Sequence, residues 1–195
     1  MNTELLIALI TFCFVSSITP GPNNLMLLSS GLNFGLRRSI SHLLGVAIGF
    51  SVMVLLVGIG VSQLFQAFPA SYTVLKWVSI VYLCYLAYKI ANNHTIDEVA
   101  SDAKPLTFMQ AALFQWVNPK AWTMALSVNA VYASDQSIHS VMLVSVVFLL
   151  INLPSIGCWL VLGKSLKQLI ASPIKIRLFN WLMAALLVVS VIPML

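Results

Sequence analysis

Three stretches of this chain carry no Asp, Glu, Lys or Arg: residues 5–36, 39–75 and 136–163. About 20 apolar residues suffice to cross a bilayer as a helix, and a helix satisfies its own backbone groups where lipid offers no partner. Each run exceeds that length. The rest of the 195-residue chain agrees, with 60% hydrophobic and only 8% charged residues, where a soluble domain carries about a quarter. The expected fold is all-α: a polytopic protein embedded in a lipid bilayer. No basic region precedes the first run, which is too long for the apolar part of a signal peptide, so a cleaved leader is not expected.

Charges and turn residues divide the chain into six candidate spans, at about 5–34, 40–62, 70–91, 106–133, 137–162 and 176–194. The one distinctly polar connection, NNHTIDEVASDAKP, is too short to be a domain. A single transmembrane domain, 1–195, is therefore expected. The net charge of +5 could point to nucleic acid, but its distribution points elsewhere. Arg37, Arg38, Lys89, Lys104, Lys164, Lys167, Lys175 and Arg177 fall in the first, third and fifth connections, whereas the second and fourth hold only Lys76. Basic residues collect on the cytoplasmic side. The odd connections are thus placed in the cytoplasm and both termini outside, with no nucleic-acid partner.

Six spans with both termini on one side allow a 3+3 division into inverted halves, about 1–92 and 105–195, an arrangement common in secondary transporters. An internal echo supports it. The first low-charge run is centred on Pro20-Gly21, and the run 105–134, uncharged apart from Lys120, is centred on Pro119-Lys120. The first and fourth helices are expected to be broken at these prolines.

The first break reads ITPGPNN at residues 18–24. Proline lacks an N–H and clashes with the carbonyl four residues earlier, so Pro20 and Pro22 free the carbonyls of Ser16 and Ile18, and Gly21 relaxes the backbone further. An unsatisfied polar group in hydrocarbon costs several kcal/mol, so such a break belongs beside a cavity. Thr19-Pro20 and Asn118-Pro119 share one grammar: a capping residue, then proline at the first helical position. Both read as starts of half-helices whose positive N-terminal ends suit an anion. Lys120 adds a cation at mid-membrane, where ionisable groups usually serve a function. Asn23, Asn24 and Asn118 supply orienting amides, and Asn152 with Pro154 sits near the middle of the fifth span. Together these residues describe a pocket for a carboxylate, with the freed carbonyls available to an ammonium group. Two plainer readings stand beside this one: proline kinks serving packing alone, and Lys120 as a buried cation paired with backbone carbonyls.

TPGPNN at Thr19–Asn24, followed by NPKAW in the fourth span, resembles the lysine exporter (LysE/RhtB) family of bacterial amino-acid exporters, across essentially the whole chain. The resemblance implies an inner-membrane exporter driven by the proton-motive force, and is nearest to members handling small neutral substrates such as cysteine and O-acetylserine, homoserine and threonine, or leucine. The residues add their own hint about cargo. No Asp or Glu lies inside a span, and a cationic side chain would want a buried carboxylate, so a neutral or zwitterionic guest fits better. For proton coupling the candidates are Lys120, alternating between free and carboxylate-bound, and His42, which reads more simply as an interfacial polar residue.

GVAIG at 45–49 permits close helix approach, for internal packing or a homodimer; packing is favoured. Cys13, Cys84 and Cys158 stand alone in apolar segments and read as small hydrophobes, leaving no basis for a metal site or a cofactor. There is no GxxxxGK[ST] motif and no soluble motor. A secondary exporter is therefore the leading class and an enzyme is not expected. A thiol redox conveyor and a non-transporting membrane subunit are the alternatives.

Overall fold

The computed structural model describes residues 2–61, 63, 67–92, 104–133, 137–169 and 172–192. Asp97, Glu98, Asp102 and Asp135, four of the five acidic residues and all expected in connections, fall outside these residues, as does the side chain of Tyr72. The described residues form seven α-helices and no strand: α1 (Thr3–Ile18), α2 (Pro22–Leu56), α3 (Pro69–Ala91), α4 (Phe108–Phe114), α5 (Pro119–Tyr132), α6 (Ile138–Leu169) and α7 (Pro173–Val189). A π-helical turn, Val57–Val61, prolongs α2, and a 3-10 turn, Gln115–Val117, prolongs α4. Among the described residues, three stretches are long and apolar enough to cross a membrane: Pro22–Val61, Thr73–Ala91 and Ile138–Lys167.

The helix ends follow local chemistry. Asn2 caps α1 by accepting from the Leu5 N–H at 2.9 Å. Thr107 and Gln110 form a reciprocal capping box at the start of α4, satisfying two otherwise orphaned donors. Proline opens α2, α3, α5 and α7, where its missing N–H costs nothing. Within α2 the exception to helical geometry is Gly35, at φ 74° and ψ 176°. That conformation is open to glycine and disfavoured for other residues, and it turns the chain between the expected first and second spans.

Glycine also sets the central crossing. α2 and α6 make the most extensive contact in the molecule. A Cβ at Gly31 would collide with the Leu160 carbonyl, and one at Gly163 with the Leu28 carbonyl. The two backbones therefore touch directly, as small residues permit in membrane helices. GVAIG is used in the same way: Gly45 and Gly49 press against Phe108 and Ala112 of α4, so the motif serves internal packing. An amide pair adds a polar link between α2 and α7, with Asn33 donating to Asn180 Oδ1 at 2.9 Å and Asn180 donating back at 3.2 Å.

Two apolar clusters make up the interior. One gathers Leu25–Leu28 of α2 with Leu83 and Leu86 of α3, Phe114, Leu160 and Leu187. The other gathers Leu9 and Cys13 of α1 with Phe50 and Met53 of α2, Ala121 and Ala125 of α5, and Phe148 of α6. The outer faces are also apolar, with Val81, Leu150 and Ile174 more than half exposed. Water would penalise such faces and lipid does not. Trp77, also exposed, stands 6.0 Å from the Lys76 ammonium.

Candidate functional site

The proline breaks lie where the two apolar clusters meet. At the first, α1 stops at Ile18, and the chain runs extended through Thr19 (φ −64°, ψ 142°) to Gly21 (φ −175°, ψ 176°) before α2 begins at Pro22. This corrects one expectation. Thr19 does not cap a helix opening at Pro20; it ends α1, and Gly21 precedes the new helix with no side-chain cap. A residue before proline is driven out of the helical region. Thr19-Pro20 and Gly21-Pro22 are two such units in succession, so the chain cannot turn helical until the second has passed.

Every carbonyl across this gap has a donor. The Thr19 N–H donates to Val15 O at 3.2 Å, and the Thr19 hydroxyl donates to Ser16 O at 3.0 Å. Asn24 Nδ2 donates to Ser17 O at 2.8 Å and to Thr19 O at 2.7 Å. Trp159 Nε1, from α6, donates to Ile18 O at 3.0 Å. Leu25 N–H donates to Gly21 O at 3.0 Å. The two carbonyls freed by Pro20 and Pro22, those of Ser16 and Ile18, are thus both taken by side chains.

The second break is simpler. Asn118 is extended (φ −94°, ψ 110°), its side chain accepts from the Lys120 N–H at 3.2 Å, and Pro119 opens α5. Here the expected cap-then-proline grammar is seen in full.

Lys120 joins the two. Its ammonium donates to Thr19 O at 2.7 Å, to Thr19 Oγ1 at 2.8 Å and to Pro20 O at 3.3 Å. Three N–H groups meet three acceptors at the C-terminal end of α1, where the helix dipole favours a cation. Gly21 leaves room for this arm, since a Cβ there would stand 2.7 Å from Lys120 Cδ. The cavity beside it holds about 20 Å³, lined by Gly21, Asn23, Asn24, Asn118, Lys120 and Asn152 together with Ser16, Ser17, Phe50, Ala121, Met124 and Ile156. That volume is of the order of one water molecule and is too small for an amino acid. The site is closed, with the lysine itself on the carbonyls that a guest ammonium would use.

Comparison with known families covers both breaks. The LysE type translocator family matches residues 14–192. This chain belongs to that family. Among the relatives of this translocator, the cysteine/O-acetylserine efflux protein of Klebsiella pneumoniae is 30% identical over 190 residues, covering 96% of this chain and 95% of its own. The protein of the same description from Escherichia coli strain K12 is 32% identical over 172 residues, covering 87% of each chain. No solved structure matches. A translocator moves a solute, and neither an enzyme nor a non-transporting subunit describes it.

Ten residues expected at the translocator's site, Thr19, Pro20, Gly21, Pro22, Asn23, Asn24, Asn118, Pro119, Lys120 and Asn152, lie at the two breaks or line the cavity between them. Pro154 is exposed and stands outside the cavity lining, within an unbroken α6. His42 is not part of this group; it lines a separate cavity. Two participants were not anticipated. Gln115 exchanges amide hydrogen bonds with Asn23, at 2.8 and 3.1 Å, and Trp159 serves Ile18 as described. Gln115 had a signal, being an uncharged polar residue inside an apolar span; Trp159 had none. The three cysteines are free and sit on α1, α3 and α6, with no pair formed.

Proposed function

We propose that this translocator exports small neutral amino acids of the cysteine/O-acetylserine kind across the bacterial inner membrane, drawing on the proton-motive force. The observation that carries the reading is the Lys120 ammonium seated on the Thr19 and Pro20 carbonyls. An amino acid has both halves of what would replace that contact. Its carboxylate draws Lys120 away, and its own ammonium takes the vacated carbonyls, so the two cations exchange places with no buried charge left unpaired. Asn23, Asn24 and Asn118 then orient the guest, and Asn152 closes the wall opposite.

Cargo is supported by the names of the two relatives above and by the spans themselves. Glu4, in the first turn of α1, is the one acidic residue among those described. A lysine or arginine side chain would have no buried partner. The architecture we infer is six spans in two inverted halves with both termini periplasmic. α1 with the part of α2 before Gly35 forms the first span, the remainder of α2 the second, α3 the third, α4 with α5 the fourth, α6 the fifth and α7 the sixth. The breaks in the first and fourth spans, meeting through Lys120, support that pairing. Lys120 is the proton-sensitive cation of the cycle.

Release of every amino acid from cells overproducing the protein tests the reading, with Lys120→Gln alongside. Selective release of a few small neutral amino acids is expected, lost in the variant together with dependence on the pH gradient. Release that is unselective, or indifferent to Lys120, would overturn it.

A further inference from the structure

A second cavity, of about 320 Å³, opens between α2, α3 and the segment before α4. His42 lines it, 2% exposed, and neither ring nitrogen has a hydrogen-bond partner among the described residues. An imidazole carries a donor and an acceptor that burial normally forces into use. The neighbouring hydroxyls are engaged elsewhere: Ser30 Oγ lies 2.8 Å from Ser39 Oγ, and Ser29 Oγ accepts from Asn33 Nδ2 at 3.1 Å. Lys89 and Lys104, both exposed, line the same cavity, at the end that the basic residues assign to the cytoplasm. Met26, Leu86 and Leu106 form its apolar wall.

We propose that this cavity is a cytoplasmic loading site for the cargo, distinct from the closed site at the breaks; the proposal rests on the exporter reading. The substrate carboxylate meets Lys89 and Lys104, its small side chain lies against the apolar wall, and its ammonium donates to the acceptor nitrogen of His42 once the imidazole, whose nitrogens are covered here, turns toward the cavity. Ser29 and Ser30 stand on the same helix as Asn23 and Asn24, six residues along, or ~9 Å at 1.5 Å per residue. A guest leaving His42 therefore reaches the proline break by following one helix. The volume suits a small amino acid, and a guest there need not first dislodge Lys120. A lipid headgroup would satisfy the two lysines but offers the buried imidazole no matching reason to be there.

The test uses the full chain in lipid nanodiscs, with His94→Gln and His139→Gln so that His42 is the sole histidine, and O-acetylserine as the probe. The imidazole nitrogen NMR resonances of His42 are expected to move saturably with O-acetylserine, and to do so equally in a Lys120→Gln background. Lys89→Gln with Lys104→Gln should weaken half-saturation about 100-fold, about tenfold for each charged hydrogen bond lost. Silent resonances overturn the proposal. So does a response abolished by Lys120→Gln, which would report the central site at a distance, or one reproduced by exchanging neutral for anionic lipid without O-acetylserine. If His42 responds while cells release nothing selectively, the exporter reading falls and the binding site stands. If release is selective while His42 is silent, the loading site falls alone.

Discussion

The two proline breaks look alike in sequence and are built differently. The one at Asn118 is a single residue wide and caps itself. The one at Thr19–Gly21 is three residues wide, has no side-chain cap on its new helix, and borrows donors from Asn24, Trp159 and Lys120. The difference comes from counting X-Pro units: one extended residue at the second break, two separated by a proline at the first. A self-capped break is fixed locally and makes a firm mount for Lys120. A break held from outside is stable only while its donors stay, so it is the one that can change partners. The lysine reaches from the firm break into the exchangeable one.

Removing that link should have the largest effect. Lys120→Gln removes the cation that is to receive the cargo carboxylate, a charged hydrogen bond of ~1.5–3 kcal/mol, so transport should fall ~10–100-fold, measured as uptake rate into inverted vesicles. A variant retaining near-normal rate would break the comparison outright. Next comes Asn24→Ala, which strips donors from Ser17 O and Thr19 O. Thr19 O keeps the Lys120 ammonium and Ser17 O is left orphaned, so at ~1–3 kcal/mol per orphaned group a stability loss of about 2 kcal/mol is expected from thermal unfolding in detergent. Trp159→Phe should cost ~1 kcal/mol by leaving Ile18 O without its donor, and that cost should shrink where Asn24→Ala has already loosened the same break. A double-mutant cycle reads this coupling, and strict additivity would mean that the indole acts through packing alone. Asn118→Ala should be mildest, at ~1 kcal/mol for a lost helix cap, with transport lowered a few-fold by the missing orienting amide. A transport loss as deep as that of Lys120→Gln would erase the distinction between the breaks.

Much of this was legible in the chain because membranes leave few options. Charge-free runs had to be helices, and prolines at 20, 22 and 119 had to interrupt them. Freed carbonyls had to find donors, which placed Asn23, Asn24, Asn118 and Lys120 in one neighbourhood. What could not be read is what depends on partners distant in sequence. Nothing near Trp159 announces that its indole will reach Ile18, 141 residues away. The cap was misassigned to Thr19 because the rule for a single Thr-Pro was applied without the second unit behind it. Arg37 and Arg38 marked a connection near Gly35, but not that helical structure would continue on both sides of it with one glycine at positive φ as the turn. The size of the central cavity was equally invisible, since it depends on where one flexible side chain rests.

That resting place has a quantitative consequence. A carrier whose own cation occupies its guest's seat competes with its cargo at a fixed effective concentration that no cell can dilute. The apparent affinity for cargo is then the intrinsic affinity reduced by the small fraction of time the seat is vacant. On the exchange proposed above, such a carrier idles at ordinary solute levels and works only under surfeit: an overflow valve whose threshold is set by three hydrogen bonds to Thr19 and Pro20.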